Sequence, residues 1–136
     1  MAALVVLRPS FLFRTTPQPN IVIVLVDTLR SDHVGAYGYP RDTSPEIDRL
    51  AERGTVFTNA YSVANWTNPT IKAMFTGQSP QAVMREALHQ EAIRMPLPKE
   101  VVTFAELLKA AGYRTVALVD HPGISPSGAF DQGFDH

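Results

Sequence analysis

No cysteine occurs among the 136 residues, which removes disulfides, thiolate metal sites and a cysteine nucleophile together. Charge is scarce and balanced: charged residues make up 18% of the chain, the formal net charge is −1 at pH 7, and the isoelectric point is near 6.4. Nucleic acid and anionic membranes therefore have no general electrostatic reason to bind, and a small anionic partner would have to be held by a local site. Long hydrophobic runs are missing as well. The apolar opening, MAALVVLRPSFLF, is interrupted by Arg8 and Pro9 and has neither a charged lead-in nor a small-residue cleavage pattern. It matches neither a signal peptide nor a membrane span of ~20 apolar residues, and a loose or edge-packed segment is expected.

What is present is the make-up of one globular domain or part of one, at 45% hydrophobic residues. Residues 15–20, TTPQPN, read as a linker, because alternating prolines favour extended backbone. Residues 21–26, IVIVLV, form a short run apolar on both faces, as a buried parallel strand should be. Asp27 ends it. At the carboxyl end of such a strand an aspartate either faces a ligand, as in open α/β sheets, or caps the following turn, and position alone leaves both open. The glycine- and aromatic-rich stretch 28–40 suits a tight ordered loop.

Thr43-Ser44-Pro45-Glu46 predicts a helix start with a capping box, followed by Ile47, Leu50 and Ala51 on one face and closed by a left-handed Gly54. TVFTNAY, Thr55 to Tyr61, alternates like a strand. In NWTNPTIKAMFTG, Thr67 stands where a helix exposes its free N–H groups, as a capping hydroxyl or as a nucleophile in the field of the helix end. The helix itself is expected from Asn68, with Ile71, Met74 and Phe75 on one face and Gly77 at its close. Lys72 reads as a solvated helix lysine, with an anion contact as the alternative. The charges of AVMREALHQEAIR, residues 82–94, read as a solvated face. Thr103 caps a further helix carrying Phe104, Leu107, Leu108 and Ala111 on one side, ended by Gly112. TVALV, residues 115–119, predicts another buried strand, stopped by Asp120. This alternation is the order of an α/β fold with a mostly parallel sheet flanked by helices.

Three of these segments, PNIVIVLVDTLRSDHVGAYGY, TSPEIDRLAERGTVFTNAYS and WTNPTIKAMFTG, resemble in order and spacing the N-terminal part of the sulfatase family within the alkaline-phosphatase-like superfamily. AGYRTVALV and FDQGFDH continue the likeness weakly. The resemblance implies an alkaline-phosphatase-like α/β fold, incomplete at the C-terminus, with residues 1–19 as an N-terminal segment and linker and 20–136 as the N-terminal portion of a sulfatase-like domain. It implies a metal-dependent site at the strands' carboxyl ends. Asp27 matches the family's first metal-binding aspartate. Thr67 matches the catalytic position of the C/S-x-P-S-R signature, here Thr67-Asn68-Pro69-Thr70-Ile71, and is expected to share the metal. Thr28 replaces a second aspartate, and Ile71 replaces the signature arginine. Threonine cannot become the formylglycine of sulfatases, whereas superfamily relatives with a threonine nucleophile are phosphodiesterases and phosphotransferases.

The expected function is thus metal-dependent hydrolysis of a small anionic sulfate or phosphate ester by attack from Thr67. The alternatives are a phosphoryl-headgroup transferase, or a non-catalytic fragment lacking the remaining metal ligands. The cofactor is a divalent ion, with calcium, magnesium, manganese and zinc all left open. Family members are commonly periplasmic or exported, while neither location nor oligomeric state is legible in these residues. His33 reads as a hydrogen-bonding loop histidine, and His121 is left unassigned.

Overall fold

In the computed structural model, which describes residues 2–5, 18–83, 96–121 and 123–135, the first apolar run is extended over fewer residues than its length suggests. Strands β1 (Ala2–Val5) and β2 (Ile23–Val26) form a two-stranded sheet. They pair antiparallel, with Ala2 opposite Val26 and Val5 opposite Ile23. The parallel sheet expected from the sequence does not form among the described residues, and β2 is not buried on both faces. Val22 is 73% exposed, and Val24 and Val26 are exposed too. A parallel strand needs neighbours on both edges and layers on both faces, and β2 has one partner. Thr55 to Tyr61 and Thr115 to Val119 are likewise not strands. Leu118, in the second of these, is 97% exposed, so β propensity without a pairing edge has not produced a ladder. From residue 84 onward the charged stretch 82–94 lies outside the described residues, as do most of residues 1–17.

The chain divides into two compact units, Met1–Ser62 and Val63–His136. In the first, the loop after β2 is ordered by two 3-10 turns, Ser31–His33 and Gly35–Tyr37, around a fully buried Val34. Helix α1 (Pro45–Ala51) starts after the N-cap Ser44 with proline in its first turn, as the sequence predicts. The capping box does not form. Glu46 pairs with Arg49 at 2.8 Å instead, and the buried Ser44 hydroxyl donates to the Asp48 carboxylate at 3.0 Å while accepting from the Gly35 N–H at 2.9 Å. Asp48 also accepts from the Ala36 N–H at 2.7 Å. A Cβ on Gly35 would run into the Asp48 carboxylate, so glycine is needed for this close approach. Nor is Gly54 left-handed: its N–H closes a turn on the Ala51 carbonyl at 3.3 Å.

The second unit holds α2 (Thr67–Thr76), α3 (Pro80–Val83) and α4 (Phe104–Ala110). In α2, Ile71 and Phe75 are buried and Met74 is half-buried, as their spacing predicts, and Gly77 closes the helix at φ 66°. In α4 the predicted Thr103 cap is a full capping box. Its hydroxyl accepts from the Glu106 N–H at 3.2 Å, and the Glu106 carboxylate accepts from the Thr103 N–H at 2.8 Å. The helix ends in a Schellman motif, with the Gly112 N–H on the Lys109 carbonyl and the Tyr113 N–H on the Leu108 carbonyl, both at 3.0 Å. Its buried face differs from the expected one: Ala105 is fully buried, Phe104 and Leu108 are half-buried, and Leu107 is exposed.

Phe75 is the hub of the core. The rings of Phe104, Phe130 and Phe134 lie 5.1, 5.7 and 6.0 Å from its own, the first two edge-on, the geometry favoured by aromatic quadrupoles. Polar ties fix the segment that carries Phe130 and Phe134. Gln132 Nε2 donates to the Val101 carbonyl at 2.7 Å, and the Thr115 hydroxyl donates to the Gly133 carbonyl at 2.7 Å. Asp135 accepts from the Thr115 N–H at 2.9 Å and pairs with Lys109 at 2.6 Å.

Candidate functional site

Asp27 belongs to the first unit and Thr67 to the second, so each is built up within its own unit. Asp27 is exposed at the end of β2, and its Oδ1 accepts from the Thr28 N–H at 3.0 Å. Thr28 has φ 55°, a left-handed conformation that a β-branched residue adopts only under strain. The Asp27 carboxylate thus bonds the N–H of the left-handed residue directly after the strand. Downstream, Asp32 bridges Arg30 Nε at 2.9 Å and His33 Nδ1 at 3.0 Å, and the His33 ring stacks on Tyr39 at 4.8 Å. The Arg30 guanidinium first, and then His33, hold the Asp32 carboxyl well below the usual carboxylate range. His33 is thus the hydrogen-bonding loop histidine that the sequence suggests.

Thr67 is the first residue of α2, one place earlier than the predicted start. The N-cap is Trp66, extended at φ −146° and ψ 160° and making no side-chain cap hydrogen bond. Thr67 is half-buried at the end of the helix where free N–H groups and the positive end of the macrodipole lie. Behind it, the Thr70 hydroxyl donates to the Trp66 carbonyl at 2.8 Å and the Ala64 carbonyl at 3.3 Å, pinning the turn that leads into the helix. Oδ1 of Asn68 is buried and has no hydrogen-bond partner among the described residues.

Lys72 departs from its expectation. It is 1% exposed rather than solvated, and burial pushes its ammonium down from the ordinary value of 10.5. Periodicity had no means of showing this: on α2 nearly every face is covered, so a position polar in residue type is enclosed with the rest.

Metal-ligating side chains do not converge among the described residues, where no group of three histidine, aspartate or glutamate residues is placed to hold an ion. Asp27 offers a hard oxygen donor, whereas calcium takes 6–8 such ligands and magnesium demands a near-ideal octahedron. The described residues therefore do not by themselves fit a metal site.

A feature the sequence left unassigned is an open cleft of about 570 Å³ in the second unit, lined among others by Val119, Asp120, His121, Ile124, Phe130 and Asp131. The Gly123 N–H donates to His121 Nδ1 at 3.0 Å. Asp120-His121 directly after an apolar run was the available signal, but the closing wall comes from Phe130 and Asp131, which only the fold brings there.

A model of the sulfatase family matches residues 19–136. The chain is 40% identical over 121 residues to human arylsulfatase A, covering 85% of this chain and 24% of that protein. It is 31% identical over 119 residues to an N-acetylgalactosamine-6-O-sulfatase of Bacteroides thetaiotaomicron, covering 87% and 23%. It is also 31% identical over 119 residues to a Delta 4,5-hexuronate-2-O-sulfatase of that organism, covering 88% and 24%. The chain thus spans about a quarter of the length of these relatives. No solved structure matches it.

Proposed function

The chain belongs to the sulfatase family, with its alkaline-phosphatase-like α/β fold, and from that premise we propose that it carries the nucleophile end of a sulfate-ester hydrolase, with Thr67 as the attacking residue. The observation that carries this reading is the placement of Thr67 as the first residue of α2, half-buried at the helix end where the free N–H groups lie. Sulfate esters are preferred to phosphate esters because the relatives reported above are named as sulfatases. Asp27 is the residue of this chain assigned to a divalent ion, which in such enzymes supplies Lewis-acid stabilisation of the ester oxygens. No step is routed through that ion, because the described residues do not complete its site.

The chemistry of the chain's own groups follows from α2. Its first N–H groups and macrodipole stabilise the anionic ester and the oxyanion that develops on it. Thr67 Oγ forms a bond to sulfur, the bond from sulfur to the leaving-group oxygen breaks, and that oxygen ends with a proton, leaving a sulfothreonine. Water then breaks the threonine S–O bond and releases sulfate. Threonine is a weak nucleophile unless its proton is removed, so turnover should be slow.

A non-catalytic role is the second reading, favoured by the absence of a complete ligand group among the described residues. The two separate in one experiment: incubate the chain with an aryl sulfate, with and without added divalent ions, and examine the peptide containing Thr67 by mass spectrometry. A gain of one SO₃ on Thr67 that is lost in Thr67→Ala supports the nucleophile. Unmodified Thr67 under every metal, with no leaving group released, leaves the non-catalytic reading.

A further inference from the structure

The cleft in the second unit joins two kinds of surface. One wall is apolar, from Val119 and Ile124, and the buried Phe130 ring lies behind them. Asp120 and Asp131 supply carboxylates, and no lysine or arginine is among the lining residues. Beside them the Gly123 N–H donates to His121 Nδ1 at 3.0 Å. The Phe130 ring is also held there by local construction. Ala129 sits at φ 57°, and a Cβ on Gly128 would meet the Phe130 ring at 2.8 Å, so the turn 126–128 lets the ring fold back closely.

We propose that this cleft binds a small organic cation, an ammonium group attached to a compact apolar body. The carboxylates take the ammonium, and the aliphatic wall takes the body. An anion such as free sulfate meets two like charges and no lysine or arginine, so the cleft is distinct in its chemistry from an anionic-ester site. A bare divalent ion is disfavoured because too few acidic or histidine side chains converge. The inference holds whether or not Thr67 is a nucleophile.

The test is calorimetric titration of the full chain near neutral pH with benzylammonium, benzyl alcohol, calcium and inorganic sulfate. Benzylammonium should bind about tenfold or more tighter than its neutral isostere, an advantage expected of carboxylates near a partly enclosed cation. Sulfate should show no binding at the cleft. Asp120→Asn and Asp131→Asn should each bring benzylammonium most of the way to the level of benzyl alcohol, with unchanged emission from Trp66, the only tryptophan, showing that the fold is intact. Ala117→Leu, which narrows the cleft without touching its charge, should weaken both organic probes together. Equal affinity for the amine and the alcohol, indifference to both asparagine variants, or displacement of benzylammonium by stoichiometric calcium would each overturn the proposal.

Discussion

In the second unit three phenylalanine rings meet around Phe75, whereas in the first the buried hydrophobic residue among those described is Val34 alone, and hydrogen bonds about Asp48 hold the loop to α1. Aromatic burial is non-directional and collective, and a ring displaced by a few tenths of an ångström still contributes. A polar latch is directional: each bond is worth little net, and breaking one strands a partner. The candidate nucleophile therefore stands on the packed unit, and the candidate metal ligand stands on the latched one.

The largest effect should come from removing the hub. Phe75→Ala should destabilise the second unit by about 3–5 kcal/mol, seen as a shift in Trp66 emission and lost amide-exchange protection in α4. Protection around Val34 and α1 should persist. If both regions lose protection together, the distinction between the units is wrong.

A smaller effect is expected from the latch. Asp48→Ala leaves the Ala36 N–H and the Ser44 hydroxyl without their acceptor, costing about 1–3 kcal/mol, with exchange accelerating in residues 34–37 and not in α4. Gly35→Ala should reproduce that pattern, because the new methyl displaces the same carboxylate.

The smallest effect is an acid response that falls on one unit. The Thr103 N–H and then Gln132 hold the Glu106 carboxyl below its ordinary 4.5, and Lys109 and then the Thr115 N–H hold Asp135 below 3.8. Folded values depressed in this way mean stability that is present above those ordinary values and lost as pH falls through and below them. Denaturant midpoints of the second unit should decline below pH 4.5, and Glu106→Gln should flatten part of that decline. Asp32 is also held low, but by an exposed arginine whose pairing contributes little to stability, so the first unit should respond less.

The sequence disclosed what local chemistry decides. The Thr103–Glu106 capping box, Gly77 and Gly112 at helix ends, the Ile71/Phe75 face and the ordered loop after Asp27 are each set within about one helical turn, and each forms as predicted or nearly so. What local chemistry does not decide went astray. Residues 55–61 and 115–119 have strand composition but no neighbouring edge among the described residues, Lys72 is buried on a helix covered on nearly every face, and Ser44 turns from its capping box to an aspartate one turn on, where Gly35 comes close. For the candidate site, Asp27 and Thr67 were named from motif likeness, while the start of α2 at Thr67 and the cleft beside His121 became visible only in three dimensions.

The uncovered apolar residues at Val22, Val24 and Leu118 also bear on how the chain behaves at high concentration. Short β-branched windows without a proline or a charge inside them are templates for intermolecular cross-β stacking. In Val22 to Val26 the nearest interrupting charge is Asp27, outside the window, and in Val116 to Val119 it is Asp120, again at the border. The two aspartates that end the apolar runs thereby act as gatekeepers against fibril growth, a colloidal duty separate from any chemistry at Thr67.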